Sequence, residues 1–139
     1  MIVVDTSFVY ALLDRREPRQ GQAAAWYRGL DEALATTPLA IAEADYFAAR
    51  IGPAARSAFH RDLTAGVYAV EWWAEAPAEI AAITEQYADL GLSLTDASLV
   101  ALAGRLGTVA VATFDERHFR AVRPLSGATA FTLLPADAR

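Results

Sequence analysis

The chain begins with a short apolar segment that runs without a polar break into a carboxylate. Residues 2–4, Ile-Val-Val, are followed at once by Asp5, Thr6 and Ser7. An apolar segment without alternation is typical of a strand covered on both faces, as in a parallel sheet between two layers of helices. The segment therefore predicts a buried strand that delivers Asp5, with two hydroxyl side chains beside it, to the carboxyl end of a sheet.

The same pattern returns near the C-terminus, and helical segments separate short strands in between. The apolar strand 109–113 ends in Thr113 and leads to Asp115. Alternating strands and helices predict an α/β fold: a single domain, residues 1–139, with a mainly parallel central sheet flanked by helices. Further strands are expected just before Thr37 and at 67–73 and 130–134, and helices at 7–14, 18–30, 38–51, 53–66, 76–91, 95–107 and 116–123.

Local signals define the ends of two of these helices. Thr37 followed by Pro38 is typical of an N-cap and a first helical residue, and Gly52 predicts the end of that helix. In the later helix, Thr95 is the expected N-cap and Gly107 the expected end.

Composition excludes several classes of protein. Although 55% of the residues are hydrophobic, charged residues such as Asp5, Asp96 and Arg105 interrupt the apolar stretches, so none approaches the ~18 residues of a membrane span. The N-terminus does not resemble a signal peptide. Because the chain has no cysteine, we expect neither disulfides nor thiolate zinc sites, and a reducing cytoplasm is the simplest location.

The charged residues narrow the chemistry further. All twelve basic residues are arginine, and the absence of lysine excludes Walker-type phosphate loops and Schiff-base chemistry. The formal net charge of -5 argues against a nonspecific nucleic-acid binder, whose surface is normally basic.

Two acids are predicted at strand ends. Asp5 and Asp115 each follow an apolar strand, and the ligand crevice of an open α/β sheet lies at the carboxyl ends of its strands. Helix capping accounts equally well for either acid taken alone, since Asp, Ser and Thr are common where a strand leads into a helix.

Other acids are predicted on apolar helix faces. Asp96 shares a helical face with Leu99, Val100 and Ala103, although an acid in the first turn also interacts well with the helix dipole. On the helix after Thr37, the acids Glu43 and Asp45 both have apolar companions, so periodicity does not choose between them. For Glu43 the companions are Leu39, Ala40, Tyr46 and Phe47.

Four carboxylates that met in one place would repel one another unless a cation compensated them. Mg²⁺ and Mn²⁺ are hard cations that prefer oxygen ligands and use few protein carboxylates. The acids therefore predict a Mg²⁺ site, with Mn²⁺ as an alternative ion.

Four segments resemble a known family in their order and spacing: IVVDTS, TTPLAIAEADY, LGLSLTDASLVALAGRLG and VATFDERHF. They are similar to those of PIN-domain ribonucleases and, more narrowly, of the VapC toxins of bacterial toxin–antitoxin pairs. The resemblance covers nearly the whole chain, and its specificity lies in the four acids together with the hydroxyl that precedes the last one.

The resemblance implies the roles of individual residues. It gives Asp5, Glu43, Asp96 and Asp115 as the metal-site acids, favours Glu43 over Asp45, and makes Ser7 and Thr113 supporting hydroxyls, with Thr6 beside them. Asp89 is a peripheral candidate.

It also implies an activity and partners. The implied activity is metal-dependent hydrolysis of structured RNA, tRNA or ribosomal RNA, and the implied partners are a small VapB-type antitoxin and a second copy of the chain. The chemistry needs no histidine base, and the chain has only two histidines, His60 and His118.

Two further groups of residues have both functional and structural interpretations. Arginines near the strand ends, with His118, are candidate RNA contacts, although a solvated helix face would contain such residues too. Trp26, Tyr27, Trp72 and Trp73 fit core or interface packing better than base stacking. The RNA candidates are Arg15, Arg16, Arg19, Arg117, His118, Arg120 and Arg123.

Competing functions remain. A haloacid-dehalogenase-type phosphatase needs a second acid two residues after the first, where this chain has Ser7, and a lysine. A receiver-like domain also needs a lysine. A degenerate PIN fold that binds RNA or protein without cutting is the alternative, and the four acids argue against it.

Overall fold

The computed structural model describes residues 1–139, whose centre is a five-stranded sheet. Every neighbouring pair of strands is parallel, which confirms the predicted α/β class. The strand order is β3-β2-β1-β4-β5. The strands are β1 (Ile2–Val4), β2 (Leu34–Thr36), β3 (Tyr68–Val70), β4 (Ala110–Ala112) and β5 (Thr132–Leu134).

Seven α-helices cover the two faces of this sheet. Val3 packs on one face with residues of α5, α6 and α7, whereas Ile2 and Val4 pack on the other face, mainly with α1 to α4. All three side chains of β1 are buried, as the uninterrupted apolar segment predicts. The helices are α1 (Thr6–Leu13), α2 (Gln20–Arg28), α3 (Pro38–Ile51), α4 (Pro53–Thr64), α5 (Ala76–Gln86), α6 (Leu94–Leu106) and α7 (Glu116–Ala121).

The direction of strand order reverses between β1 and β4. From β1 the chain builds outward through β2 to β3, and β4 then returns to the other side of β1. The backbone N–H of Asp5 donates to the carbonyl of Ala112 at 3.0 Å, so the carboxyl ends of β1 and β4 lie side by side. A crevice at such a reversal is where open α/β sheets bind ligands.

Two local predictions were wrong. The predicted strand 67–73 ends at Val70, so Trp72 and Trp73 lie in the following loop, where Trp72 is 47% exposed and Trp73 is 7% exposed. The N-cap of α6 is Ser93 and not Thr95, because the Ser93 hydroxyl accepts the backbone N–H of Asp96.

The region expected as one helix over 76–91 is divided in two. Helix α5 ends at Gln86, and a short 3-10 turn, Ala88–Leu90, follows it. Gly91 then adopts a left-handed conformation with φ of 70°, which a glycine accommodates without strain.

Trp26 packs edge-to-face against Phe8, with ring centroids 5.3 Å apart.

None of the helices combines the length and the apolar composition that crossing a membrane requires.

Candidate metal centre

Asp5 lies at the floor of a cleft at the carboxyl ends of β1 and β4. Its side chain is buried, yet it makes no capping hydrogen bond to α1, so capping does not account for it. Oδ2 of Asp5 instead accepts hydrogen bonds from Ser7 Oγ and Thr113 Oγ1, each at 2.7 Å. The structure thus brings together Asp5, the nearby hydroxyl of Ser7 and the hydroxyl of Thr113 from a distant segment.

The backbone around β4 determines the direction of these hydroxyl protons. The N–H of Phe114 donates to Ser7 Oγ at 2.9 Å, and the N–H of Asp115 donates to Thr113 Oγ1 at 2.9 Å. An amide N–H can only donate, so each hydroxyl accepts there and directs its own single proton to Asp5. The network holds one carboxylate oxygen of Asp5 in a fixed position.

Asp115 both caps a helix and faces the cleft. Its Oδ1 accepts the backbone N–H of His118 at 3.2 Å, so the capping interpretation is correct for this acid. Its Oδ2 lies 2.8 Å from Nδ1 of the same histidine. Capping and a role in the cleft are therefore compatible, because the two oxygens of one carboxylate serve different neighbours.

Asp96 enters the same cleft from the first turn of α6. Its Oδ2 lies 3.5 Å from His118 Nδ1. Burial, together with the negative charges of Asp5 and Asp115, raises the pKa of Asp96 to about 6. Such a shift indicates that the acids are close enough to oppose one another's ionisation.

Burial also raises the pKa of Asp5 above its usual range. The hydrogen bonds from Ser7 and Thr113 lower this pKa, whereas the charge of Asp115 raises it, and burial outweighs the two hydroxyls. The hydrogen bonds at the floor of the cleft therefore do not fully compensate the negative charge of an ionised Asp5.

The structure separates the two acids that periodicity could not. Glu43 lines the cleft with Asp5, Asp96 and Asp115. Asp45, by contrast, does not line the cleft. Its carboxylate accepts hydrogen bonds from Arg56 at 3.0 and 3.1 Å and lies 2.6 Å from His60 Nε2.

The reasoning that put Glu43 on an inward face was wrong in its detail. The buried face of α3 consists of Ala40, Ala44 and Ala48, while Tyr46 and Phe47 are exposed. Glu43 is half-buried because it lies at the edge of that face, where α3 borders the cleft.

Comparison with known proteins identifies the family. The family model for the PIN domain matches residues 2–124. The chain belongs to the PIN domain family. It is similar to "Ribonuclease VapC26" of Mycobacterium tuberculosis, with 35% identity over 136 residues, which cover 96% of this chain and all of that protein.

A solved structure shares the fold of this PIN domain. The crystal structure of Mycobacterium tuberculosis VapC20, described as a sarcin–ricin loop cleaving toxin, matches with a TM-score of 0.77 and 23% identity. The match covers 84% of this chain and 91% of that one. At this level of identity the likeness supports the fold alone.

The remaining predicted residues divide by position in this PIN domain. Thr6 lines the cleft, and its hydroxyl donates to the carbonyl of Ala40 at 3.4 Å, which links α1 to α3. Asp89 is exposed on the 3-10 turn and does not line the cleft.

Only part of the predicted basic set borders the cleft. Arg16, Arg19 and His118 line it, and all three have acidic partners: Arg16 has Asp14 at 3.2 Å and Arg19 has Glu17 at 2.8 Å, while His118 has Asp115 at 2.8 Å. The predicted residues outside the cleft are Arg15, Arg117, Arg120 and Arg123.

Arg120 illustrates why helix position alone misled. Its guanidinium binds Asp137 and Glu116, with distances of 2.7 and 2.8 Å, so its charge is committed to the C-terminal segment and to its own helix. Nothing in the sequence between 116 and 123 predicts the contact with a residue near the C-terminus.

One arginine of the cleft was missed. Arg50 lies on the rim, and its guanidinium contacts the ring and hydroxyl of Tyr46 but no carboxylate. Glu43, Phe47 and Arg50 are spaced i, i+4, i+7, which places all three on one face of α3. This spacing is the sequence signal from which Arg50 could have been predicted. Tyr10, Glu17, Phe47 and Ser93 also line the cleft.

The chemistry of the donor set fits a divalent cation. Nδ1 of His118 and one carboxylate oxygen each from Asp96 and Asp115 lie within 4.8 Å of one another. Asp5 and Glu43 line the same cavity, of about 670 Å³, outside this group of three. A hard cation would offset the burial and the mutual repulsion that raise the pKa values of Asp5 and Asp96.

Proposed function

We propose that this PIN domain, residues 1–139, is a metal-dependent endoribonuclease that acts as the toxin of a type II toxin–antitoxin system. The observation that carries the proposal is the meeting of acids from four separate segments at the reversal of strand order, in a cleft with arginines on its rim. The similarity to a protein named a ribonuclease supports it.

We assign Asp5, Glu43, Asp96 and Asp115 as the residues that would hold Mg²⁺, or Mn²⁺ in its place. A bound divalent cation would lower the pKa of a water molecule and stabilise the charge on the phosphate and on the leaving oxygen. Asp5 contributes a carboxylate in a fixed orientation, since Ser7 and Thr113 bind its Oδ2.

The rim residues have a separate role in this proposal. Arg50 has no carboxylate partner, so its guanidinium is available for a phosphate of the RNA backbone. Arg16 and Arg19 also line the cleft, but they are paired with Asp14 and Glu17, which limits their net charge. A few local contacts with phosphates agree with a chain of net charge -5 that selects structured RNA.

A pair of variants on one helix tests the activity. Purified protein is incubated with total RNA in Mg²⁺, in Mn²⁺ and in excess chelator, and the ends of the products are mapped by sequencing. We expect cleavage only with metal, a loss of ~100-fold or more in Glu43→Gln, and near wild-type cleavage in Asp45→Asn. Full cleavage in chelator would contradict the metal mechanism.

Mapping the ends also identifies the substrate, since tRNA and ribosomal RNA give different fragments. RNA binding without cleavage under every metal condition would instead support the degenerate PIN fold.

We further propose a cytoplasmic location, a homodimeric toxin and inhibition by a small VapB-type antitoxin. Expression of the chain alone should arrest growth, and co-expression with the small reading frame beside its gene should restore it. The two products should co-purify, and light scattering of the toxin alone should give twice the chain mass. Failure to co-purify would count against the toxin assignment but not against the nuclease.

A further inference from the structure

His118 lies beside two of the four acids proposed to hold the metal, although it is not itself one of the proposed ligands. Its Nδ1 lies 2.8 Å from Asp115 Oδ2 and 3.5 Å from Asp96 Oδ2. It is the only nitrogen donor in the group that comes within 4.8 Å. The other histidine of the chain, His60, is bonded to Asp45 on the exposed surface of α3 and α4.

The protein anchors the backbone of His118 at the residue itself and at the residue that follows it. The backbone N–H of His118 is bound by Asp115 Oδ1, and the next residue, Phe119, is fully buried and packs edge-to-face on Phe131. Only 24% of the His118 side chain is exposed. A side chain anchored in this way keeps its Nδ1 directed at the two carboxylates, whereas a solvated surface histidine would not.

The spacing of these atoms suits the first coordination sphere of a metal. Adjacent ligands of an octahedral ion with bonds of about 2.0–2.1 Å lie about 2.9 Å apart. The 2.8 Å separation from Nδ1 to Asp115 is close to that value, and the 3.5 Å separation to Asp96 exceeds it by about 0.6 Å, which a small side-chain movement would close. Nε2 makes no hydrogen bond to the protein, so it can carry the imidazole proton when Nδ1 offers its lone pair.

We infer that His118 Nδ1 is a direct ligand of the metal, beside Asp96 and Asp115, and that it makes the site selective for first-row transition ions over Mg²⁺. The inference rests on the metal site of the proposed function. Mg²⁺ and Mn²⁺ both accept carboxylate oxygen, but Mn²⁺ is a first-row transition ion, and an imidazole nitrogen strengthens the binding of such ions more than that of Mg²⁺. The site would therefore bind Mn²⁺ more tightly than a site of four carboxylates alone.

The test measures nitrogen coordination directly on the full chain loaded with Mn²⁺. Pulsed electron paramagnetic resonance of the bound ion should show coupling to an imidazole ¹⁴N, replaced by ¹⁵N coupling when histidine is ¹⁵N-labelled. The coupling should vanish in His118→Asn and persist in His60→Asn. Circular dichroism spectra of both variants establish that they are folded.

Affinity gives a second measurement. By calorimetry, His118→Asn should bind Mn²⁺ at least ~10-fold more weakly while its Mg²⁺ affinity changes by less than ~3-fold. An equal loss for both ions would overturn selectivity by coordination, and would mean that His118 only positions Asp115 through a hydrogen bond.

The outcomes for this inference and for the proposed function are distinct. Nitrogen coupling without RNA cleavage under any condition would keep the ligand assignment and overturn the nuclease. Metal-dependent cleavage by a protein whose Mn²⁺ spectrum lacks imidazole coupling would keep the nuclease and overturn the ligand assignment. A chain that binds no Mn²⁺ would also overturn it.

Discussion

The acids of the cleft differ in how the protein compensates each charge. Asp5 has two hydroxyl donors on one oxygen, Asp115 has the backbone and ring of His118, and Asp96 has only the 3.5 Å approach of that ring. Burial, followed by the charges of Asp5 and Asp115, raises the pKa of Asp96 to about 6, and the approach of His118 offsets only part of that rise. At the scale of a single residue, ionisation of Asp96 should therefore lower the stability of the metal-free protein.

Without metal, ionisation of Asp96 should destabilise the fold. Because its pKa is 3.8 when unperturbed and about 6 in the folded protein, the folded state binds more protons between these values. Stability should then fall as pH rises from about 4 to about 6, by on the order of 1–2 kcal/mol after solvent screening. Urea unfolding in chelator should show this slope, which Asp96→Asn should flatten.

Exposed Asp31 provides the control, since Asp31→Asn should keep the wild-type slope. At neutral pH in chelator, Asp96→Asn should be at least as stable as wild type, and Mg²⁺ should raise its melting temperature less. A less stable Asp96→Asn with a normal response to Mg²⁺ would mean that Asp96 only stabilises its helix.

Thr113 should stabilise the protein through its hydroxyl. Thr113→Val keeps the shape but leaves Asp5 with one donor and the Asp115 N–H without its acceptor. Loss of a buried partner costs about 1–3 kcal/mol, so urea unfolding at neutral pH should show a loss in that range. Thr113→Ser keeps the hydroxyl and should recover most of it. Equal stability of the Val and Ser variants would exclude the hydrogen-bond argument.

At the scale of the elements, Ser93 determines where α6 begins and so where Asp96 lies. Its hydroxyl accepts the Asp96 N–H at 3.0 Å, and replacing such an N-cap with alanine typically costs ~1 kcal/mol. Ser93→Ala should lower the free energy of unfolding by about that amount, while Ser93→Thr should retain most of it. If Ser93→Ala left the free energy of unfolding unchanged, the N-cap of α6 would have to be another residue.

The order of elements could be predicted from sequence because each strand and helix has a local signal. The apolar segments at 2–4 and 110–112, and Pro38 and Gly107 at helix ends, are such signals. Thr95 and Ser93 are both good N-caps, and only the packed position of α6 decides between them. Tryptophans favour strands, so the end of β3 at Val70 had no local signal.

The site was predictable to the extent that its residues follow strands. Asp5 comes directly after β1, and Asp115 follows the end of β4 after Thr113 and Phe114, so the topology brings them together. Glu43 and Asp45 could not be separated by periodicity, because the partners of Asp45 lie on α4, a contact between helices. The same limit hid the pairing of Arg120 with Asp137.

At the scale of the whole molecule, an acidic chain is proposed to bind a polyanion. The chain has a net charge of -5, yet Arg16, Arg19 and Arg50 are gathered around one cleft, beside its acids. Attraction between RNA and this protein should therefore come from a few phosphates at the rim, and its dependence on salt should be weak. The slope of log affinity against log salt concentration is proportional to the number of these phosphate contacts.

Arg50→Gln should reduce that count by about one phosphate. In a Glu43→Gln background, which suppresses cleavage, RNA affinity is measured by fluorescence anisotropy across a salt series at fixed Mg²⁺. Each phosphate contact on single-stranded RNA contributes about -0.7 to the slope of log affinity against log salt, so Arg50→Gln should make the slope less negative by about 0.7. Arg28→Gln is the matched control, because Arg28 is exposed on α2 away from the cleft and should leave the slope unchanged. If Arg28→Gln and Arg50→Gln weaken binding equally, RNA is attracted by the charge of the whole surface and not by the rim.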